Sequence, residues 1–461
     1  MREAGGLAPA STLLGMLQRG RGEGVLRLAH VSKDAATEAV GQLIEGDHAA
    51  WSWVGPRVGY LADVVDRVSL PLDRLKRAAV RSVGTGELSR ASIDAHHLAL
   101  RTLGVLAAHG NEPAHAWLLD QARSGPAWFH AVEALAAWEL DGLGLKLGRH
   151  LLAQRTEREL DLLISQVGYS EPWITWFEER PDLLAALEQR PMHAPQSRGS
   201  KTYPRVRTSL STHDLMHQAE HRNRVKTAKV LVRRRTEKDR IAIVDSACDG
   251  NDDQRWVALQ VLKSWRSPAL WDLALELVHE DTERWLRSKA HDYLTALPGS
   301  MLLPHVHNWL AGPKELRLLA QRALELHATP EHLPVLRPAL CEAIRTRDDM
   351  RGSFAAEALG TAGDPTALPD VLAFYEETTY GYGRKLAAEA LMKLDPGAAA
   401  TKAVAWLFDA EWTIVSLALD TVDPSEAHTR EALQDLASRP FVEESLRERA
   451  ASLITEFEAS S

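Results

Sequence analysis

Long apolar runs are the first thing this sequence lacks. Nowhere do roughly eighteen uncharged apolar residues follow one another, which is close to the least a membrane-crossing helix needs. The apolar stretch near the start, Leu13 to Leu17, contains Gly15 and is too brief for the core of a secretion signal. Cysteine is nearly missing. Cys248 and Cys341 give neither a disulfide framework nor a Cys-built zinc site, and the expectation is a cytoplasmic protein. Phenylalanine and tyrosine are sparse at seven each, and the alternation of a half-buried strand is scarce. Positive charge is not in excess either: 54 Lys+Arg face 63 Asp+Glu, for a net charge of −9. Such a field repels phosphate and disfavours a general grip on nucleic acid or an anionic membrane. No G-x-S-x-G, Walker loop or strand-borne G-x-G-x-x-G stands out, so the common nucleophile and phosphate motifs are not represented.

What is present is helical text. Hydrophobic residues make up 45% and charged ones 25% of 461 residues, enough core for two or three domains or for one long array. The phrase Ala355-Ala356-Glu357-Ala358-Leu359 returns 32 residues later as Ala387-Ala388-Glu389-Ala390-Leu391. Between the copies lie a Gly/Pro loop from Gly360 and a second apolar segment, Leu368 to Tyr375. Helix, turn, helix, then the same again is the sequence mark of a stacked helical array. The pattern resembles the HEAT repeat in its short, phycobilisome-lyase-like variant. That resemblance implies an all-α fold, an α-solenoid of about a dozen stacked HEAT-like helical hairpins with a curved, superhelical course.

Taken in order, residues 1–24 read as a flexible lead-in rich in Gly and Arg. Residues 25–164 read as degenerate repeats, with Leu98–Leu103, a turn at Gly110-Asn111, and a matching helix around Ala131–Leu135. Across 165–223 the beat is lost among Pro172, Pro181, Pro191, Pro195 and Pro204. This is either an irregular insert or one long repeat with an extended loop. From 224 to 461 the register can be counted. A small residue has an apolar partner four positions on at Ala228/Val232, Ala258/Leu262, Ala290/Leu294, Ala320/Leu324, Ala355/Leu359, Ala387/Leu391, Val415/Leu419 and Ala450/Ile454. Residues four apart share a helix face, and a small one lets the next helix come close. An arginine keeps the same beat at Arg255, Arg287, Arg317, Arg351, Arg384 and Arg447, with an acid shortly before it at Asp253, Glu283, Glu315, Asp349 and Glu443. HEAT-like repeats commonly carry such a pair near the inter-helix turn. Acids suit a helix start, and the arginine can bridge to the adjoining repeat in bidentate fashion.

Several constellations could carry function. His213-Asp214-Leu215-Met216-His217 puts two histidines on one helical stripe and resembles the zinc protease H-E-x-x-H. Asp214 is a methylene too short for the base, and a solvent-facing polar helix accounts for the same residues. From Arg198 to Arg240 thirteen Lys+Arg stand against four acids, a local +9. On a helix Arg222, Lys226, Lys229 and Arg233 form one cationic stripe beside an apolar one of Val225, Ala228 and Val232. The stripe suits a phosphate backbone or an acidic protein. Trp256, Trp265, Trp271 and Trp285 crowd the first regular repeats. The phrase Trp285–Ala290 resembles one in the HEAT-like alkylpurine DNA glycosylases, although core packing is the ordinary use of such residues. Deoxyhypusine hydroxylases need repeated His-Glu pairs, of which His279-Glu280 is the single example here. Finally, Tyr380 and Tyr382 sit in a loop with Gly381 and Gly383. That composition fits recognition, and equally a helix-linking turn with its rings tucked in.

The resemblance implies a non-enzymatic scaffold that needs no cofactor and holds a protein partner, acidic in one version, along a concave face. Arg222, Lys226, Lys229, Arg233, Tyr380 and Tyr382 are then the expected contacts. The alternative is a nucleic-acid-binding HEAT-like protein, glycosylase-like in one version, that uses the basic helix 222–235.

Overall fold

The computed structural model of the protein describes residues 7–45, 54–80, 90–125, 128–136, 180–188, 209–279 and 281–460, with isolated positions between 152 and 177. All regular secondary structure among them is helical. The chain divides into two compact units, one of residues 1–196, 341–353 and 368–461, the other of residues 197–340 and 354–367.

The first unit begins where a lead-in was expected. Helix α1 (Leu13–Arg19) starts at Thr12, whose hydroxyl accepts the Gly15 amide, and stops at Gly20. Gly20 has φ +73°, a conformation glycine adopts without a Cβ penalty. Helix α2 (Gly22–Leu28) follows at once, and Leu17, Gln18, Arg19, Arg21 and Val25 are buried. Then come α3 (Lys33–Glu45), α4 (Val54–Arg67), α5 (Asp73–Val80), α6 (Arg90–Ala108), α7 (Glu112–Ser124), α8 (Trp128–Ala136) and α9 (Pro181–Glu188). Asn111 caps α7 by accepting the Ala114 amide, and Pro113 sits in the first turn, where its missing N–H costs nothing. Helix α6 packs against α4, α5, α7 and α8. Residues 189–208, the heart of the expected insert, lie outside the described residues.

The second unit opens with α10 (Thr212–His217), α11 (Arg224–Leu231), α12 (Glu237–Cys248), α13 (Asp252–Trp265), α14 (Trp271–Leu277) and α15 (Arg284–Leu294). It continues through α16 (Gly299–Leu302), α17 (Val306–Leu310) and α18 (Lys314–His327). Helix α13 packs on α11 and on α15, so the first helices of successive hairpins stack. The small residues counted in the sequence form the seam: Ala228, Ala258, Ala290 and Ala320 are all buried. Polar bonds knit the hairpins too. Trp265 Nε1 donates to the Val232 carbonyl at 3.0 Å, and the Tyr293 hydroxyl accepts from Leu270 N and donates to Ser267 O.

The first unit takes in the end of α19 (Leu333–Thr346) and the start of α20 (Asp349–Ala362), and then holds α21 (Leu368–Glu377), α22 (Gly381–Leu394), α23 (Pro396–Trp406), α24 (Trp412–Thr421), α25 (Ala427–Ser438) and α26 (Glu444–Ser460). Helices α21, α22 and α23 each pack on their successor, and α25 packs on α26. Within the first unit Ala387, Val415 and Ala450 are buried at the corresponding positions, while Ile454 is only half-buried as the last helix runs out. The N-terminal helices pack onto these repeats. Helix α2 lies on α23, and the Ala410 amide donates to Gly20 O at 2.8 Å. Arg67 grips both oxygens of Asp435, and Arg439 reaches Asp63 at 3.3 Å. The opening helices thus supply burial that the closing repeats need.

Candidate functional site

The basic segment is shorter as a helix than its spacing suggests. Helix α11 spans Arg224–Leu231, with Arg222 in the turn before its cap and Arg233 beyond its end. Arg222, Lys226, Lys229 and Arg233 are exposed. The buried face is Thr227, Ala228 and Leu231, whereas Val225 is 52% exposed and Val232 half-buried. The apolar stripe is therefore rotated from the expected one, because the helix ends before Val232 and the Val232 carbonyl is taken by Trp265. Other cations of the run turn inward. Arg224 pairs with Asp253 at 3.3 Å, and Arg234 donates to Thr212 Oγ1 and Leu210 O. Arg198, Lys201, Arg205 and Arg207, with Tyr203, lie outside the described residues.

The four expected core tryptophans are half-buried instead. Arg224 lies between two of them, 4.8 Å from the Trp256 centroid and 4.3 Å from that of Trp285. Lys289 covers Trp256 as well, at 5.1 Å. These rings hold cations of their own chain, which fits an amphipathic aromatic better than a deep core does. Among the described residues Trp128, Trp309 and Trp406 are buried. His213 and His217 stack with centroids 6.3 Å apart on an exposed face of α10. Asp214 accepts the Ser211 hydroxyl there. Among the described residues no three His, Cys, Asp or Glu are placed to hold a metal ion, and Glu280 is not described.

Arg384 makes a bidentate rung of the arginine ladder. Arg384 donates through Nε and Nη2 to Asp409, and both side chains are fully buried. Arg317 instead donates to its own turn at Gly312 O, and Arg255 faces Asp252 at 3.6 Å. The acids do mark helix starts: Asp349 opens α20, and its two oxygens accept the Thr378 and Thr379 hydroxyls.

Around Arg384 the first unit builds a pocket of about 350 Å³; the segment expected as a loop is the start of α22, with Tyr380 at its N-cap and Tyr382 in its first turn, and these two form the rim. Tyr380 is half-buried and Tyr382 is 47% exposed, their rings tilted at 5.9 Å. Lys385 lies 5.6 Å from the Tyr382 centroid and pairs with Glu389. Glu411 and Thr413 make the far wall, with the Thr413 hydroxyl on Glu411 at 3.0 Å. Arg57 reaches the same pocket from α4, donating to the Gln18 and Thr379 carbonyls. Burial, and after it the Arg384 charge, pushes the Arg57 guanidinium down to about 9, so it remains a cation at neutral pH. Sequence reasoning found Tyr380, Tyr382 and the Arg384 ladder position. It missed Arg57, because the bond from Arg57 to Thr379 spans 322 residues and leaves no local signal.

Against known proteins, residues 301–392 match the family model described as HEAT repeats. The match is to HEAT repeats at large and does not single out the phycobilisome-lyase-like variant. No curated protein and no solved structure matches the chain. Among the described residues no helix is long and apolar enough to cross a membrane.

Proposed function

We propose that this protein, whose residues 301–392 are HEAT repeats, is a non-enzymatic scaffold that holds an acidic protein partner. HEAT repeats commonly serve protein interaction, and a stack whose core is fixed by a small-residue seam leaves its outer faces free to specialise. The observation that carries the reading is the sorting of charge around α11. Arg222, Lys226, Lys229 and Arg233 are exposed on or beside α11, and Arg224 and Arg234 make contacts with Asp253 and Leu210. Like charges left together on an exposed surface repel one another and favour an acidic counterpart. Tyr380 and Tyr382 make a second contact. We place the protein in the cytoplasm: Cys248 and Cys341 are both exposed and free, a poor choice for an oxidising compartment.

Charge reversal at Lys226, Lys229 and Arg233 together is expected to abolish capture of the acidic partner with the melting temperature unchanged. Capture at full strength by that variant overturns the reading. Nucleic acid is the competing occupant, and the Trp285 ring that a glycosylase-like use would need is stacked on Arg224. DNA affinity that falls steeply with salt, by several phosphate contacts' worth, would favour it.

A further inference from the structure

Charge around the tyrosine pocket cancels, and that decides what the pocket can hold. Arg57, Arg384 and Lys385 line it, and each has its acid. Asp409 takes Nε and Nη2 of Arg384, and Lys385 pairs with Glu389 at 2.9 Å. Arg57 faces both Asp409 and Glu411, whose charges favour its cationic form. Ala410 fills the space at Gly20 beside the two guanidinium groups. A Cβ built on Gly20 would lie 2.7 Å from Ala410 Cβ, 3.4 Å from Arg384 Nη2 and 3.8 Å from Arg57 Cζ. A ligand bringing a charge of either sign would break a pair already made or lie against like charge.

One polar atom of the wall is left over. Glu411 Oε1 accepts the Thr413 hydroxyl, whereas among the described residues Oε2 accepts from no hydrogen-bond donor. Glycine at position 381 makes room for it, since a Cβ there would come 2.5 Å from Oε2. Covering a carboxylate oxygen with an apolar group strands an acceptor, and covering it with an N–H or O–H does not. Beside it the rings of Tyr380 and Tyr382 stand 5.9 Å apart at 56°, a tilted pair against which a third ring can pack edge-on or offset. A volume of about 350 Å³ is at the small end of ligand pockets, suited to one large side chain. We propose that this pocket takes one uncharged, hydrogen-bond-donating aromatic side chain of a protein partner, a tryptophan or a tyrosine, with its ring against Tyr380 and Tyr382 and its N–H or O–H on Glu411 Oε2. Tryptophan and tyrosine are the commonest anchors of protein contacts, seated in small pockets inside a rim of weaker contacts. The proposal rests on reading Tyr380 and Tyr382 as a contact surface, and it names the residue type they receive.

The test titrates the full-length protein, by ligand-observed NMR, with blocked tripeptides of the form acetyl-Gly-X-Gly-amide. The central residue X is tryptophan, tryptophan methylated on its indole nitrogen, glutamate or lysine. Saturable binding of the tryptophan peptide, equal at low and high salt, is the expected result. It should be at least tenfold tighter than binding of the glutamate and lysine peptides, because either charge has to be buried against a balanced site. Methylation deletes the one donor and should cost about tenfold, the usual scale for a hydrogen bond to a carboxylate. A glutamate or lysine peptide as tight as the tryptophan one, a methylated peptide as tight as its parent, or no binding overturns the proposal. Tyr382→Ala, on the exposed rim, locates the site. It is expected to weaken the tryptophan peptide about tenfold at an unchanged melting temperature, and unchanged affinity counts against the proposal. The triple charge reversal at Lys226, Lys229 and Arg233 separates the two claims, since the tryptophan peptide should bind that variant as it binds the native protein. A pocket that fails while partner capture stays charge-sensitive sinks this inference alone. A pocket that holds while capture proves charge-insensitive removes the α11 reading and leaves this one standing.

Discussion

Arg384 donates from Nε and Nη2 to the two carboxylate oxygens of Asp409, at 3.2 and 2.8 Å, and neither side chain has exposed surface. A buried pair of this kind gains little over an apolar one, yet breaking it strands a charge. Asp409→Asn leaves both Arg57 and Arg384 without their buried acid and should cost about 3–5 kcal/mol. The double replacement Arg384→Met with Asp409→Leu should cost less than Asp409→Asn alone. Denaturant midpoints of the two variants decide this, and the reverse order would refute the account.

Gly22 stands where the opening helices meet the closing repeats, and a Cβ there would come 1.7 Å from the Ala405 carbonyl oxygen. Backbone cannot swing aside as a side-chain tip can. Gly22→Ala should therefore lift α2 from α23 and destabilise the unit by about 1–3 kcal/mol or more. Gly363→Ala is a useful contrast. Its strain comes from φ +70° alone, with open space around the new methyl. Amide exchange of α2 should accelerate in the first variant and stay slow in the second.

The packing of α1 and α2 marks the limit of what the sequence made legible. The repeat beat was readable because a stacked hairpin must bury the same small residue at each turn of the array, and Ala258, Ala290, Ala320 and Ala387 do so with no exposed surface. Residues 1–24 carry no such beat, and their burial comes from partners near residue 400 that no local pattern can announce. Gly22 read as flexibility, but here glycine is needed for close approach of two backbones. The tryptophans were misread for a related reason. Large rings at helical spacing say that a surface is covered, not whether a core or Arg224 covers it. Of the pocket, Tyr380, Tyr382 and the Arg384 ladder position were visible in the local wording, although Gly381 and Gly383 read as a loop and open α22 instead, and Arg57 was not visible.

Acid should weaken the first unit through its histidines. His97 Nε2 lies 3.0 Å from His130 Nε2, and two neutral rings can share one proton there. Burial first, then His130, holds His96 down to about 4. Burial, His130 and His96, opposed by Glu133, hold His97 down to about 3. In the unfolded chain both sit near 6.5, so below that pH the unfolded state takes up protons the folded state refuses. Stability is thus present at neutral pH and lost as pH falls from about 6.5 toward the folded values. At pH 5 the loss is on the order of 2 kcal/mol for each ring. Melting temperatures from pH 7 to pH 5 should fall, and His97→Gln should flatten the slope.

The Tyr293 hydroxyl accepts from Leu270 N and donates to Ser267 O, at 3.1 and 2.7 Å, pinning the turn before α14 to α15. Burial, partly offset by the bond from Leu270, pushes the phenol up to about 12, so it keeps its proton across the physiological range. Tyr293→Phe keeps the ring and deletes both bonds. It leaves a buried amide without its acceptor and should cost about 1–3 kcal/mol. Faster exchange confined to residues 267–271 is the signature, and uniform loss across the unit would mean that the ring's packing is what matters.

Arg224 is the residue on which the scaffold reading and its nucleic-acid rival differ most sharply. Its guanidinium is 4.3 Å from the Trp285 centroid and 4.8 Å from that of Trp256, with Asp253 fixing its position. Cation stacking of this kind is worth about 0.5–2 kcal/mol and orders two hairpins together. Arg224→Gln should cost roughly that amount and shift tryptophan emission, since two rings lose a neighbouring charge. If the stack is structural, the variant should hold the acidic partner as the native protein does, because the exposed lysines of α11 are untouched. If the stack is instead a closed form of a base-binding surface, freeing Trp285 should raise affinity for single-stranded DNA, since stacking a base on an aromatic ring is worth about 1–3 kcal/mol. Titrating native and Arg224→Gln protein with an oligonucleotide at two salt concentrations distinguishes the outcomes, and equal, negligible binding by both is the expected one.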